Sequence, residues 1–493
     1  MRISNNIVPN GAKPFETDGV AANSEAPTPW LIQGGMGISI SGWPLARAVS
    51  RAGQLGVVSG TAINSVFIRR LQDQGIDDTL RAILDRFPLT SVVDEVVDQF
   101  AASRRRPTSP YRNTPMLTLR SSQRSIDLLV LSTFVEVALA REGHSGIVGI
   151  NLLTKVQIPT VPTLYGAILA GVDYVLMGAG VPTHIPGILE RLALNKDVDL
   201  PLQIVGGVTP DETPTLHFDP TRYNSVEPLV RPKFIGIVSS HVLATALAKR
   251  SSGPVDGFVV ERPSAGGHNA PPRGQFALDD DGNPHYGDRD RIDYEVLRGL
   301  GAPFWIGGGV TNRARVEEAL ALGAAGVQVG TLFAYCRESG MDPTLRKQII
   351  DELRVTDVAI NTSMRASPTG YPFKVARVEG TIADHDVYSA RERKCDLGFL
   401  REAFVKSDGT FGYRCAAEPV DAFVKKGGQI EDTVDCTCLC NGLMSTCGLG
   451  QVRAGGREEP PIVTSGDCID EIRGLLAGRE SYGANDVIAM LAN

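Results

Sequence analysis

The sequence predicts an α/β chain built on a closed (β/α)8 TIM barrel, with a helical insertion and a C-terminal Cys-containing extension. Two observations carry this. Short apolar runs recur from residue 30 to about residue 335, each ending in Gly or a small polar residue, and a stretch of helical spacing usually follows. The runs are apolar on both faces, as suits parallel strands covered by helices rather than a half-wet sheet. Eight such units most simply close on themselves. A doubly wound open sheet is the rival arrangement.

Residues 1–28 are polar, contain Pro and show no period, so they read as a flexible or surface-lying arm. The barrel is expected over residues 29–340. Its runs are "WLIQGG" (30–35), "LGVVSG" (55–60), "GIVGINLL" (146–153), "DYVLMGAG" (173–180), "KFIGIVSS" (233–240), "GFVVERP" (257–263), "FWIGGG" (304–309) and "AGVQVG" (325–330). Between the last two, "TNRARVEEALALG" sets Val316, Ala319 and Leu320 on one helical face. Residues 75–145 are too long for one connection and read as a helical insertion. Residues 201–232 read as a strand with a Pro-rich excursion, and counting "LQIVGG" there would make a ninth strand. Residues 341–493 form the extension, with a helix near 342–354 and a Cys-rich stretch at 395–447.

A chain of 493 residues, 42% hydrophobic and 21% charged, is a globular protein with an ample core. Its net charge of −7 argues against nucleic acid, which needs a basic surface. No apolar run reaches the length of a membrane span, and the N-terminus lacks a signal-peptide core, so the expectation is a cytoplasmic protein without a membrane partner. The eight cysteines do not make a secreted disulfide framework in so long a chain.

In a barrel of this kind the chemistry lies just past the C-terminal ends of the strands. The residues there are small and leave main chain accessible, which suits a flat, polar-edged cofactor held by backbone groups. "GGGV" after the seventh run and "GT" after the eighth stand at the usual phosphate site of the fold, where glycine N–H groups meet helix N-termini. "AGGH" after the sixth run sets His268 in a loop rich in Gly and Pro. An imidazole there can exchange a proton near neutral pH, or it can simply cap its loop. His184, in "VPTHIPG" after the fourth run, is a second candidate, with helix entry as its plainer role.

Taken in order, "IQGGMG", "ERPSAGGH", "IGGGV" and "GVQVGTLF" resemble the nitronate monooxygenase (2-nitropropane dioxygenase) family. These are FMN-dependent TIM barrels related to the flavin-containing enoyl-acyl-carrier-protein reductases. The resemblance covers about residues 29–340 and is specific for the superfamily, not for one reaction. It implies FMN, with its phosphate at Gly308, Gly309, Gly330 and Thr331 and its ring near Gly34, Gly35, Met36 and Asn151. Gly60, Gly266, Gly267 and Gly307 complete the expected cofactor-binding set, and Met36 with the Ile38–Trp43 region lines an apolar space over the ring. His268 falls on the family's histidine and is the expected catalytic residue, with His184 behind it. The implied activity is oxidation of alkyl nitronates by O2 to a carbonyl compound and nitrite. The alternative is an NAD(P)H-dependent enoyl-thioester reductase acting on an acyl-thioester, and a non-catalytic flavin-binding scaffold is the reading from another class. A homo-oligomer is compatible with either enzyme.

The extension departs from that family. Cys395, Cys415, Cys436, Cys438, Cys440 and Cys447 invite a zinc or iron–sulfur reading, but C-T-C-L-C is not a C-x2-C knuckle. Small buried packing residues account for them as well, so no metal is expected. On a strand, the alternate cysteines would share one face. The loop "NAPPRGQFALDDDGNPHYGDRDR" after His268 is placed like a lid or specificity element, and within it Arg273 could meet an anionic substrate.

Overall fold

In the computed structural model, residues 28–102, 104–206, 213–224, 228–274 and 277–493 are described; the N-terminal arm expected at 1–28 lies almost wholly outside them. All eight predicted runs contain strands: β1 (Leu31–Gln33), β2 (Gly56–Ser59), β3 (Val148–Leu153), β4 (Tyr174–Gly178), β5 (Lys233–Val238), β6 (Gly257–Glu261), β7 (Phe304–Gly307) and β8 (Gly326–Val329). They form one parallel sheet in the order β1-β8-β7-β6-β5-β4-β3-β2. The register sets Leu31 beside Val327 and Phe258 beside Phe304. The ends meet just before β2, where Ile32 bridges Leu55, Gln33 N donates to Leu55 O at 3.0 Å and Gln33 Oε1 accepts from Val57 N at 2.9 Å. The sheet is a closed barrel, not the open rival.

Alternate side chains divide between two cores, and this is why the runs are apolar throughout. Ile32, Val57, Leu176, Ile235, Val259 and Trp305 point inward and fill the barrel. Their neighbours Leu31, Val58, Val175, Phe234, Phe258 and Ile306 face the helical layer. Gly257 makes room for the largest inner side chain, because a Cβ there would stand 2.8 Å from the Trp305 ring. In the helix Arg313–Ala321, Val316 and Ala319 are buried as the spacing predicts, but Leu320 is 42% exposed at the edge of that face.

Among the described residues, the long β2–β3 connection holds the helix Ile63–Gln74 and then, in the expected insertion, the helices Asp78–Leu84, Thr90–Phe100 and Gln123–Arg141. The last packs on the helix Thr160–Leu169, and Gly166 permits the contact: a Cβ there would meet Val130 O at 2.4 Å. The excursion before β5 resolves the ninth run. Val198–Pro201 pairs antiparallel with Thr215–Phe218 outside the barrel, and Leu202 follows as a buried anchor.

Past residue 340, the helix Pro343–Val355 leads to an antiparallel hairpin, β9 (Ile360–Ser363) and β10 (Phe373–Ala376). A second hairpin pairs β11 (Glu402–Val405) with β12 (Phe411–Arg414), and the helix Leu439–Thr446 follows. The chain then returns to the barrel: Val463, Ile469, Leu475, Tyr482, Val487 and Leu491 belong to the same core as the outer strand residues. Polar ties fix it there. Arg69 donates to Leu449 O at 2.5 Å, Gln451 Oε1 accepts from Tyr111 N at 2.7 Å, and Tyr482 OH donates to Leu332 O at 2.7 Å. Arg453 joins Asp396 and Glu459 in a largely buried network that also holds Arg391. No helix of the described residues is long and apolar enough to cross a membrane.

Candidate active site

A large cavity opens at the C-terminal ends of the strands, with about 1750 Å³ of empty space, its mouth included. The loop after β1 contributes Gly34, Gly35 and Met36, and β3 contributes Asn151. Gly35 lies flat against that asparagine: a Cβ there would come within 2.2 Å of the Asn151 Cβ. Asn151 Nδ2 donates to Leu176 O at 3.3 Å. Gly308 and Gly309 follow β7 with φ of 87° and 73°, conformations that side chains rarely adopt. A Cβ on Gly308 would stand 2.9 Å from Ala265 N.

Gly330 and Thr331 follow β8 on the same wall. They are covered by a segment that the sequence did not mark. Thr331 Oγ1 accepts from Gly466 N at 2.9 Å, Gly267 N donates to Thr464 Oγ1 at 2.9 Å, and a Cβ on Gly266 would meet the Ser465 carbonyl carbon at 2.8 Å. Among the described residues no Lys or Arg lines the cavity, so an anion there would be held by backbone N–H groups, hydroxyls and helix ends. A cradle of glycines that a Cβ would fill, beside a broad apolar space, fits a flat cofactor carrying a phosphate.

His268 lines the cavity. Its Nε2 lies 2.7 Å from Ser367 Oγ, which in turn is 2.7 Å from Thr369 Oγ1, and the ring meets Phe373 edge-on at 4.9 Å. Burial pushes its pKa down to about 4, so the imidazole is neutral at pH 7. Ser367 and Phe373 belong to the first C-terminal hairpin, and "ASPTGYPF" holds no periodic signal that could have placed them here. Glu261, at the end of β6, also lines the cavity. Burial raises its carboxyl to about 7, opposed by a hydrogen bond from Gln328 Nε2 at 3.2 Å. Gln328 Oε1 is buried without a partner among the described residues and lines the same space.

Eleven of the fourteen anticipated residues thus share one cavity, and three stand apart from its lining. His184 is exposed at the start of the helix Ile185–Ala193, where its carbonyl accepts from Ser252 Oγ at 3.0 Å. Gly60 lies behind Asn151, its N–H bonded to Asn151 O at 2.8 Å, and Gly307 O accepts from Arg262 N at 2.9 Å. Arg273 is engaged with Asp290, at 2.9 Å through its backbone N–H and 3.6 Å through its guanidinium.

The cysteines do not lie on a strand. Cys438 caps the helix Leu439–Thr446 and Cys440 lies inside it, while Cys415, Cys436, Cys438 and Cys440 are buried in an apolar cluster with Ile38, Val66 and Met444. Burial pushes the Cys395 and Cys436 thiols up to about 12, so they are thiols rather than thiolates at neutral pH. Among the described residues no group of three or more His, Cys, Asp or Glu is arranged to hold a metal ion.

Residues 215–407 match the nitronate monooxygenase family. A nitronate monooxygenase of Paraburkholderia phytofirmans is 28% identical over 186 residues, 36% of this chain and 47% of that protein. A probable nitronate monooxygenase of Staphylococcus aureus is 28% identical over 160 residues, 31% of this chain and 42% of the relative. The chain therefore spans less than half the length of these relatives. Among solved structures, FabK from Thermotoga maritima aligns with 94% of this chain and 91% of its own at 15% identity and a TM-score of 0.45. The family match runs from the excursion hairpin through β5–β8 and the His268 loop to the end of β11, so the similarity to nitronate monooxygenases covers the second half of the barrel and the first part of the extension.

Proposed function

We propose that this chain is an FMN-dependent oxidoreductase, most simply a nitronate monooxygenase that converts alkyl nitronates and O2 to a carbonyl compound and nitrite. The observation that carries the reading is the neutral, half-buried His268 in the same cavity as the glycine cradle. Gly308, Gly309, Gly330 and Thr331 would hold the phosphate, and Gly34, Gly35, Met36 and Asn151 would meet the ring. When bound, FMN supplies the electron-transfer chemistry that none of these side chains can perform.

The protein's own work is positioning and proton transfer. In the tautomer whose Nε2–H donates to Ser367 Oγ, Nδ1 is unprotonated and can take the proton from the acidic carbon of a neutral nitroalkane. A neutral imidazole supports this role better than that of a fixed positive partner for an anion. Phe373 limits ring rotation.

The apolar residues that the extension adds to the cavity suit a second reading on the same fold, an NAD(P)H-dependent enoyl-thioester reductase that places an acyl chain against them. Anaerobic mixing separates the two. The FMN-loaded protein is mixed with an alkyl nitronate or with NADPH, and the flavin absorbance is followed. Reduction by the nitronate and not by NADPH is the expected result. Rapid bleaching by NADPH would make the chain a reductase, and failure to take up FMN would end both readings.

A further inference from the structure

The cavity has two unlike linings. One is the glycine cradle of the barrel. The other is apolar and comes from the extension: Phe399 and Leu400 from the loop before β11, and Leu439 and Leu443 from the helix Leu439–Thr446. In that helix Leu439, Cys440, Leu443 and Thr446 line the cavity, and at 100° per residue they fall within one face of about 120°. The flank beside Thr446 packs against Ile462, where a Cβ on Gly442 would approach to 2.8 Å. The helix is also anchored: Thr446 Oγ1 donates to Ile462 O at 2.5 Å, and Asn441 Nδ2 donates to Asp396 Oδ1 at 2.8 Å. It is a fixed wall, and no charged side chain from the extension enters the cavity.

We infer that this helix is the specificity determinant of the site: it closes a channel for an unbranched apolar chain on the substrate, and Leu443 with Leu439 sets the longest chain accepted. The inference rests on the proposed oxidoreductase reading for the identity of the reacting end, but the wall itself is independent of the reaction. A polar or charged tail would lose its water against these side chains without gaining a partner. Each methylene of an apolar tail would be stabilised by burial. Phe399 and Leu400 lie inside the segment that matches the family, but the helix with Leu439 and Leu443 lies beyond residue 407, in a part of the molecule that the match does not describe.

The test is a calorimetric binding series on the FMN-loaded full chain, with straight-chain alkanoates from butanoate to dodecanoate as inert probes. Affinity is expected to rise about fourfold for each added methylene and then level off. In Leu443→Trp the plateau arrives at a chain about two carbons shorter, and in Leu443→Ala at a longer one. Melting curves establish that each variant is folded, and the alanine variant keeps the test available if the larger side chain is not accommodated. An affinity independent of chain length, no binding at all, or an equal loss for butanoate and dodecanoate in Leu443→Trp would overturn the inference. A flat series in an enzyme that oxidises nitronates removes the inference and leaves the reaction. A graded series in a protein that turns over neither nitronate nor enoyl thioester does the reverse.

Discussion

The two walls of the cavity were built by different means. The barrel wall is made of strand ends whose glycines expose backbone, and each piece sits where a βα repeat must put it. The C-terminal wall is made of a hairpin, a loop and one eight-residue helix that reach the same space only through long-range packing. The first wall suits a constant partner, such as a cofactor that every turnover needs. The second can change without disturbing the barrel, so it is where substrate choice can vary. Substitutions on one wall should therefore affect cofactor binding, and those on the other substrate selection.

The largest effect is expected at the histidine where the walls meet. His268→Gln keeps the size of the group but removes the base, and a general base contributes about 10²- to 10⁴-fold to rate. Turnover of neutral nitroalkanes should fall by that factor while turnover of preformed nitronates falls far less, as measured by nitrite release from each. Equal losses on both substrates would make His268 a structural residue of its loop. Next is Gly35→Ala, whose Cβ would collide with Asn151. Overpacking of this kind costs about 1–3 kcal/mol, so FMN affinity in a fluorescence titration should fall about ten- to hundredfold. Leu443→Ala should leave FMN affinity untouched. A comparable loss there would erase the division between the walls.

A third effect concerns stability rather than binding. Leu439 is 1% exposed and belongs to an apolar cluster with Phe373, Val375 and Ile462, so it supports the hairpin that carries Ser367. Leu439→Ala should cost about 2–5 kcal/mol in chemical unfolding. Because its neighbours hold the His268 partner, nitroalkane turnover should weaken along with stability.

The same contrast explains what could be read in advance. The eight strands were legible because each is apolar on both faces, a signal contained within five or six residues. The glycine cradle was legible because φ values such as 87° at Gly308 restrict the residue type. Leu320 escaped because a helical face grades into solvent at its margin. Ser367, Phe373, Leu439 and Thr464–Gly466 were not legible: each lies about 100 residues or more from the barrel group it meets, and nothing local in "ASPTGYPF" or "CTCLCNGL" specifies a partner. The C-T-C-L-C spacing suggested a strand, but Cys438 proved to be a helix cap, because alternation over five residues is too short to fix a period.

The smallest effect is a pH dependence at the seam between the walls. His268 has its pKa lowered from 6.5 to about 4, so between those values the unfolded chain binds a proton that the folded chain does not. Its contribution therefore makes stability rise with pH across that window, and it is lost as pH falls through about 4. Glu261 is shifted the other way, from 4.5 to about 7. Across its window the folded chain retains a proton that the unfolded chain has released, so its contribution is fully present below pH 4.5 and is lost as pH rises through about 7. From about pH 4.5 to 6.5 the two slopes oppose each other, each at most about 1.4 kcal/mol per pH unit for one proton. Chemical unfolding of the flavin-free protein should separate them by difference. Relative to the parent, Glu261→Gln should gain stability as pH rises through that window and His268→Gln should lose it. Parallel curves for parent and variants would mean that neither group is held away from its ordinary pKa. The cavity would then be wetter than its lining implies, and the argument for a neutral base at His268 would lose its physical ground.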